Sequence, residues 1–73
     1  MGGVVAIGEL SRLAGFALAG VDVRGAEDEP SANEVLDRLE GEVALLVLTP
    51  RAERALKRRL DEREGLVWVT LPR

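Results

Sequence analysis

The chain has 73 residues, which makes one domain near the lower size limit for a self-sufficient core. It contains no Cys and no His, so disulfide staples and the usual zinc ligands are excluded, and a net charge of −3 offers nucleic acid no global attraction. Hydrophobic residues make up 47% of the chain but aromatics only 3%, Phe16 and Trp68, so the expected core is aliphatic.

Residues 3–7 form a short apolar run ending at Gly8, which reads as a buried first strand. Leu10, Leu13, Ala14, Ala17 and Leu18 then recur at helical spacing, and Gly20 is a natural stop past a helix end. Residues 21–24 read as a second short strand, and Gly25 to Pro30 as a polar loop. Ser31 and Glu34 fit a capping box, in which the hydroxyl accepts from a free backbone N–H and the carboxylate reaches back to the cap. The helix behind it carries Ala32, Val35, Leu36 and Leu39 on one stripe and is expected to end at Gly41.

Residues 43–48 are apolar on both faces from Ala44 onward, as in a central parallel strand with helices on either side. Thr49 and Pro50 open the next helix as cap and first position. Ala52, Ala55, Leu56 and Leu60 form its narrow apolar stripe, and Gly65 ends it. Residues 66–71 complete the chain as a last strand. The order βαβαβαβ with no internal linker implies a single α/β domain over residues 1–73. The expected architecture is a small doubly wound parallel sheet of four strands in the order 2-1-3-4, Rossmann-like or flavodoxin-like.

Charge is unevenly placed. Residues 27–42 hold seven acids against Arg38 alone, and residues 51–59 hold five bases against Glu53 alone. The acids Glu27, Asp28 and Glu29 read as a solvated lead-in to a helix N-terminus, which the helix dipole favours, in preference to a metal site. The bases read first as a solvated helix face with Glu53–Lys57 and Arg58–Glu62 pairs at i,i+4, then as a protein-partner surface. No aromatic interleaves with them to stack on bases, which argues against nucleic acid. No apolar run approaches the roughly 18 residues of a membrane span, and the N-terminus has no basic leader, so a cytoplasmic chain without direct membrane insertion is expected.

The chemistry of known site classes is mostly missing. The first strand ends Ile7-Gly8-Glu9-Leu10-Ser11, without the further glycines of a dinucleotide loop, and Lys57 lies mid-helix, away from any phosphate loop. A phosphoreceiver domain of this topology needs a carboxylate nucleophile where this third strand ends in Leu48-Thr49-Pro50. Without His or Cys the common nucleophile–base pairs cannot form. No catalytic residue, cofactor or metal is expected. Phe16 sits at the edge of its apolar stripe, where it either seals the core or meets a partner, and Trp68 lies on an edge strand.

Gly15-Phe16-Ala17-Leu18-Ala19-Gly20-Val21 resembles the G-F-R-L-A-G-[VI] segment of the F subunit of V-type (archaeal/bacterial A/V-type) ATPases. Leu45-Leu46-Val47-Leu48-Thr49 followed by Ala52, and a last strand running to Leu71-Pro72, resemble later segments of that family in the same order. The first segment is the specific one, and the others are generic. The resemblance implies a non-catalytic subunit of a rotary-ATPase central stalk without cofactor. It implies as partners the D subunit, the coiled-coil shaft, and the catalytic head, modulation of ATP-driven proton or sodium transport, and a location peripheral to the membrane. The family's Arg in the specific segment is Ala17 here, and family members usually continue into a C-terminal helical segment, whereas this chain stops at Arg73. The alternative is a stand-alone flavodoxin-like regulatory or ligand-binding domain.

Right-handed crossovers in the order 2-1-3-4 place the first helix alone on one face of the sheet. Strands three and four then carry an uncovered apolar face. Their parity is not fixed by sequence, and the candidate partner-binding set is Phe16 with Leu46, Leu48, Leu66 and Trp68, or with the alternates of the last four. Self-association through these strands, or cover by the shaft, is the expected consequence.

Overall fold

The computed structural model describes residues 3–18, 20–39 and 43–72. The elements follow one another as β1 (Gly3–Gly8), α1 (Leu10–Leu18), β2 (Asp22–Gly25), α2 (Glu29–Arg38), β3 (Val43–Leu48), α3 (Pro50–Asp61) and β4 (Trp68–Thr70). All neighbours pair in parallel, in the order β2-β1-β3-β4, as the alternating pattern leads one to expect. The β3–β4 pairing extends past β4 on both sides, with Leu46 N–H donating to the Val67 carbonyl at 3.0 Å and Leu71 N–H to the Leu48 carbonyl at 2.8 Å.

Each helix end has a local cause. The Val21 N–H donates to the Phe16 carbonyl at 3.2 Å and Gly20 takes a φ of 82°, which is the six-to-one closure of a Schellman turn. Thr49 caps α3, its hydroxyl accepting from the Ala52 N–H at 3.3 Å, with Pro50 in the first turn.

The capping box expected at Ser31 is not formed. α2 begins three residues earlier than that cap implies, at Glu29, and its cap is Asp28, whose carboxylate accepts from the Ser31 N–H at 2.9 Å. The carboxylate is a good cap, and starting there places Pro30 inside the first turn, where its missing N–H costs nothing. Glu34 pairs instead with Arg38 at 2.7 Å. The expected stop at Gly41 lies outside the described residues.

The core lies mainly on the face of α2 and α3. There Val5 and Ile7 of β1 and Leu46 and Leu48 of β3 pack against Ala32 and Leu36 of α2 and Ala52, Leu56 and Leu60 of α3. The other face holds a smaller cluster, Ala6, Leu13 and Val47, with Phe16, Val21, Val23, Leu45 and Leu71 packed around it. α1 supplies all the helical cover there. Arg59 ties α2 to α3 by donating to the Asn33 carbonyl and side chain at 3.2 and 3.0 Å and to Asp37.

Candidate functional site

Two surface features adjoin at α1. The first is the apolar face of β3 and β4 that α1 does not reach. Strand parity is set by the register Val4↔Leu45, Ala6↔Val47 and Val47↔Val69, which puts these residues and Val67 on the α1 side. Val67 is 59% exposed, Val69 47% and Val4 37%. They surround half-buried Leu45. An uncovered face over β3 and β4 is thus present, but it consists of the alternates.

Leu46 and Leu48, two of the expected partner-binding residues, are fully buried against α2 and α3, out of a partner's reach. Leu66 and Trp68 are half-buried on that same covered side, where the Lys57 ammonium stands 5.8 Å from the Trp68 ring centre. The cause is the register Leu46↔Trp68: once Leu46 joins the core beneath two helices, its neighbour in β4 must point the same way. Phe16 is half-buried at the rim of the smaller cluster.

The second feature is a cleft of about 300 Å3 at the C-terminal edge of the sheet, lined by Glu9, Arg12, Pro50, Arg51 and Arg54. It opens where β1 leads into α1 and β3 leads into α3 on opposite faces, the point at which open α/β sheets leave a crevice. Thr49 is fully buried beneath it, and its hydroxyl donates to the Glu9 carboxylate at 2.5 Å. That bond, helped by the charges of Arg51 and Arg12, holds the Glu9 carboxyl below the usual glutamate range. Three guanidinium groups against one fixed carboxylate leave the cleft locally positive in a chain of net charge −3.

Some of the backbone donors at this edge are committed within the fold. The Leu10 N–H, at the start of α1, donates to Glu27 at 3.1 Å, the Ala52 N–H donates to Thr49, and Pro50 has none. The acidic lead-in to α2 thereby gains specific roles: Glu27 caps the start of α1, and Asp28 caps α2. Of the two ion pairs expected on α3, Glu53–Lys57 forms at 3.8 Å. Arg58–Glu62 is absent among the described residues, although Glu62, the C-cap of α3, keeps helical backbone angles.

Arg12 joins the two features. Its guanidinium donates to the Pro72 carbonyl at 2.9 Å, crossing the edge of the sheet from α1 to the end of β4. The sequence marks Arg51 and Arg54 only as part of a charged helix, offers Leu45, Val67 and Val69 only as the alternate parity of the open face, and gives no local sign of Arg12. The available signal was topological: Arg12 follows β1 by one helical turn at the point where the chain switches faces.

No helix among the described residues is long and apolar enough to cross a membrane. No family model matches the chain, and no curated protein matches it. Among solved structures it is similar to the F subunit of the V-type ATP synthase from Archaeoglobus fulgidus, with a TM-score of 0.73 and 20% sequence identity over 97% of this chain and 98% of that one. The chain therefore has the fold of a V-type F subunit, the α/β flavodoxin-like arrangement anticipated from its element order.

Proposed function

We propose that this chain is a non-catalytic subunit of a rotary V/A-type ATPase, seated on the D subunit that forms the shaft of the central stalk and modulating ATP-driven ion transport. The observation that carries this reading is the end-to-end structural likeness to the F subunit of a V-type ATP synthase, together with the Gly15–Val21 segment that resembles the same family. The exposed Val67 and Val69 beside Leu45 supply an apolar surface of the kind that protein partners cover. Coexpression with the catalytic and shaft subunits encoded in the same genome tests the assignment. The chain is expected to elute with the shaft in size-exclusion chromatography and to bind no ATP alone at micromolar concentration in calorimetry. A chain that elutes alone from that mixture, or that binds ATP saturably, overturns the reading in favour of a stand-alone regulatory or ligand-binding domain.

A further inference from the structure

We infer that the open face of β3 and β4 together with Arg12 forms a docking site for one amphipathic helix of a partner protein, whose acidic residues lie at the basic cleft. The inference deepens the stalk reading and rests on its premise that the face meets a protein. It adds the partner's chemistry, which neither the fold nor the structural likeness supplies.

The width of the face selects a helix. Neighbouring strands lie about 4.8 Å apart and a helix with its side chains is about 10 Å across, so one helix covers two strands. α1 already packs over β1 and β2, and the uncovered remainder is the pair β3 and β4. One further helix beside α1 would complete the second layer of a doubly wound fold. Its apolar stripe would meet Val67, Val69 and Leu45.

The charge at one end selects its composition. Arg12 reaches from α1 to the Pro72 carbonyl and so stands at the C-terminal edge of this face. Behind it the cleft adds Arg51 and Arg54. Glu9 is the cleft's one carboxylate, and it is committed to Thr49. Guanidinium forks match carboxylates in geometry, and the Leu10 and Ala52 N–H groups at this edge are already engaged. A helix carrying Glu or Asp in the turn nearest this edge complements the site, and an otherwise identical helix with Lys there is repelled.

The test uses the whole isotope-labelled chain and two synthetic peptides of about 18 residues, long enough for about 27 Å of helix. Both carry the same Leu/Ala stripe, one with Glu and the other with Lys in the terminal turn. Amide resonances of the chain are followed during titration. The acidic peptide is expected to bind saturably, shift Leu45, Val67, Val69 and Arg12, and bind at least about tenfold tighter than the basic one at low salt. That preference should shrink on raising ionic strength. Arg12→Glu should reverse it, and Arg54→Glu, on the exposed side of α3, should reduce it should the first variant fail to fold. Equal binding of both peptides, shifts confined to α2 and α3, or concentration-dependent shifts of the same face without peptide, the mark of a second copy on it, overturns the inference. No rotary-ATPase component enters the assay, so its failure leaves the stalk assignment standing, and failure to coelute with the shaft leaves this result standing.

Discussion

The Thr49 hydroxyl donates to the Glu9 carboxylate at 2.5 Å and accepts from the Ala52 N–H at 3.3 Å, so one buried side chain both caps α3 and fastens the loop that follows β1. Residues 40 positions apart in sequence are thereby joined across the C-terminal edge of the two central strands.

This bond makes stability depend on pH in a definable direction. The Glu9 carboxyl is held below its ordinary value of 4.5, chiefly by Thr49, then by its own backbone N–H and by the charges of Arg51 and Arg12. The unfolded chain therefore takes up the proton first as pH falls. The stabilisation is complete above 4.5 and is lost as pH drops through the lower folded-state value. Thr49→Val is expected to flatten the acid limb of the stability profile and also to lower stability at every pH through loss of the cap. Thr49→Ser should restore both, and Glu9→Gln should flatten the limb while leaving the cap. Urea midpoints measured between pH 3 and pH 7 check this, and an unchanged slope in Glu9→Gln contradicts it.

The same threonine dictates the glycine before Glu9. A Cβ on Gly8 would lie 2.3 Å from Thr49 Cγ2 and Oγ1, too close for any rotamer to relieve without moving the backbone of β1 or β3. Gly8→Ala is expected to destabilise by at least about 1–3 kcal/mol, the usual cost of overpacking. Gly15, inside α1, has nothing within 4 Å of the added methyl. Gly15→Ala should stabilise by about 0.5–1 kcal/mol through helix propensity. Chemical denaturation of the two variants separates steric from conformational demand, and equal effects would remove the distinction.

The fold was legible because its determinants are periodic and local. Alternating apolar strands and striped helices, with Gly20, Thr49 and Pro50 as punctuation, specify βαβαβαβ, and the handedness of crossovers then leaves one sheet order. The parity of the open face was not legible, because β3 and the segment around β4 are apolar on both sides and only the pairing Leu46↔Trp68 breaks the tie. The start of α2 was misread because Asp28 and Ser31 are both competent caps, and Pro30 between them carried the deciding information. The surroundings of Glu9 were not legible, because its partner Thr49 and the neighbouring Arg12, Arg51 and Arg54 meet it only through tertiary structure.

The Asp28 cap leads to a direct contrast. The Asp28 carboxyl is held below its ordinary range, chiefly by the Ser31 side chain and then by the Ser31 N–H. Asp28→Ala is expected to lower the thermal midpoint at neutral pH, and Ser31→Ala, which loses the hydroxyl but keeps the backbone donor, should lower it by less. Because the folded-state value is depressed, the cap's contribution is present above the ordinary aspartate range and fades as pH falls below it. The Asp28→Ala deficit should therefore narrow on acidification. A Ser31→Ala deficit as large as that of Asp28→Ala at pH 7 would restore the capping box.

The two sides of β3 provide a quantitative test of where the core ends. Leu46 is fully buried beneath α2 and α3, so Leu46→Ala removes well-packed atoms and opens a cavity, at an expected cost of about 2–5 kcal/mol. Leu45, one residue earlier, points to the half-covered α1 side, where water or relaxation fills the space left by truncation. Leu45→Ala should cost well under half as much. Val69, 47% exposed on the same side, should tolerate Thr within about 0.5 kcal/mol. Trp68 is the chain's one tryptophan and packs on the α2–α3 side, so its fluorescence reports global unfolding in urea with little direct sensitivity to changes at Leu45 or Val69. Comparable losses for Leu45→Ala and Leu46→Ala would mean that the β3–β4 face is covered in solution, and the free apolar surface on which partner docking depends would not exist.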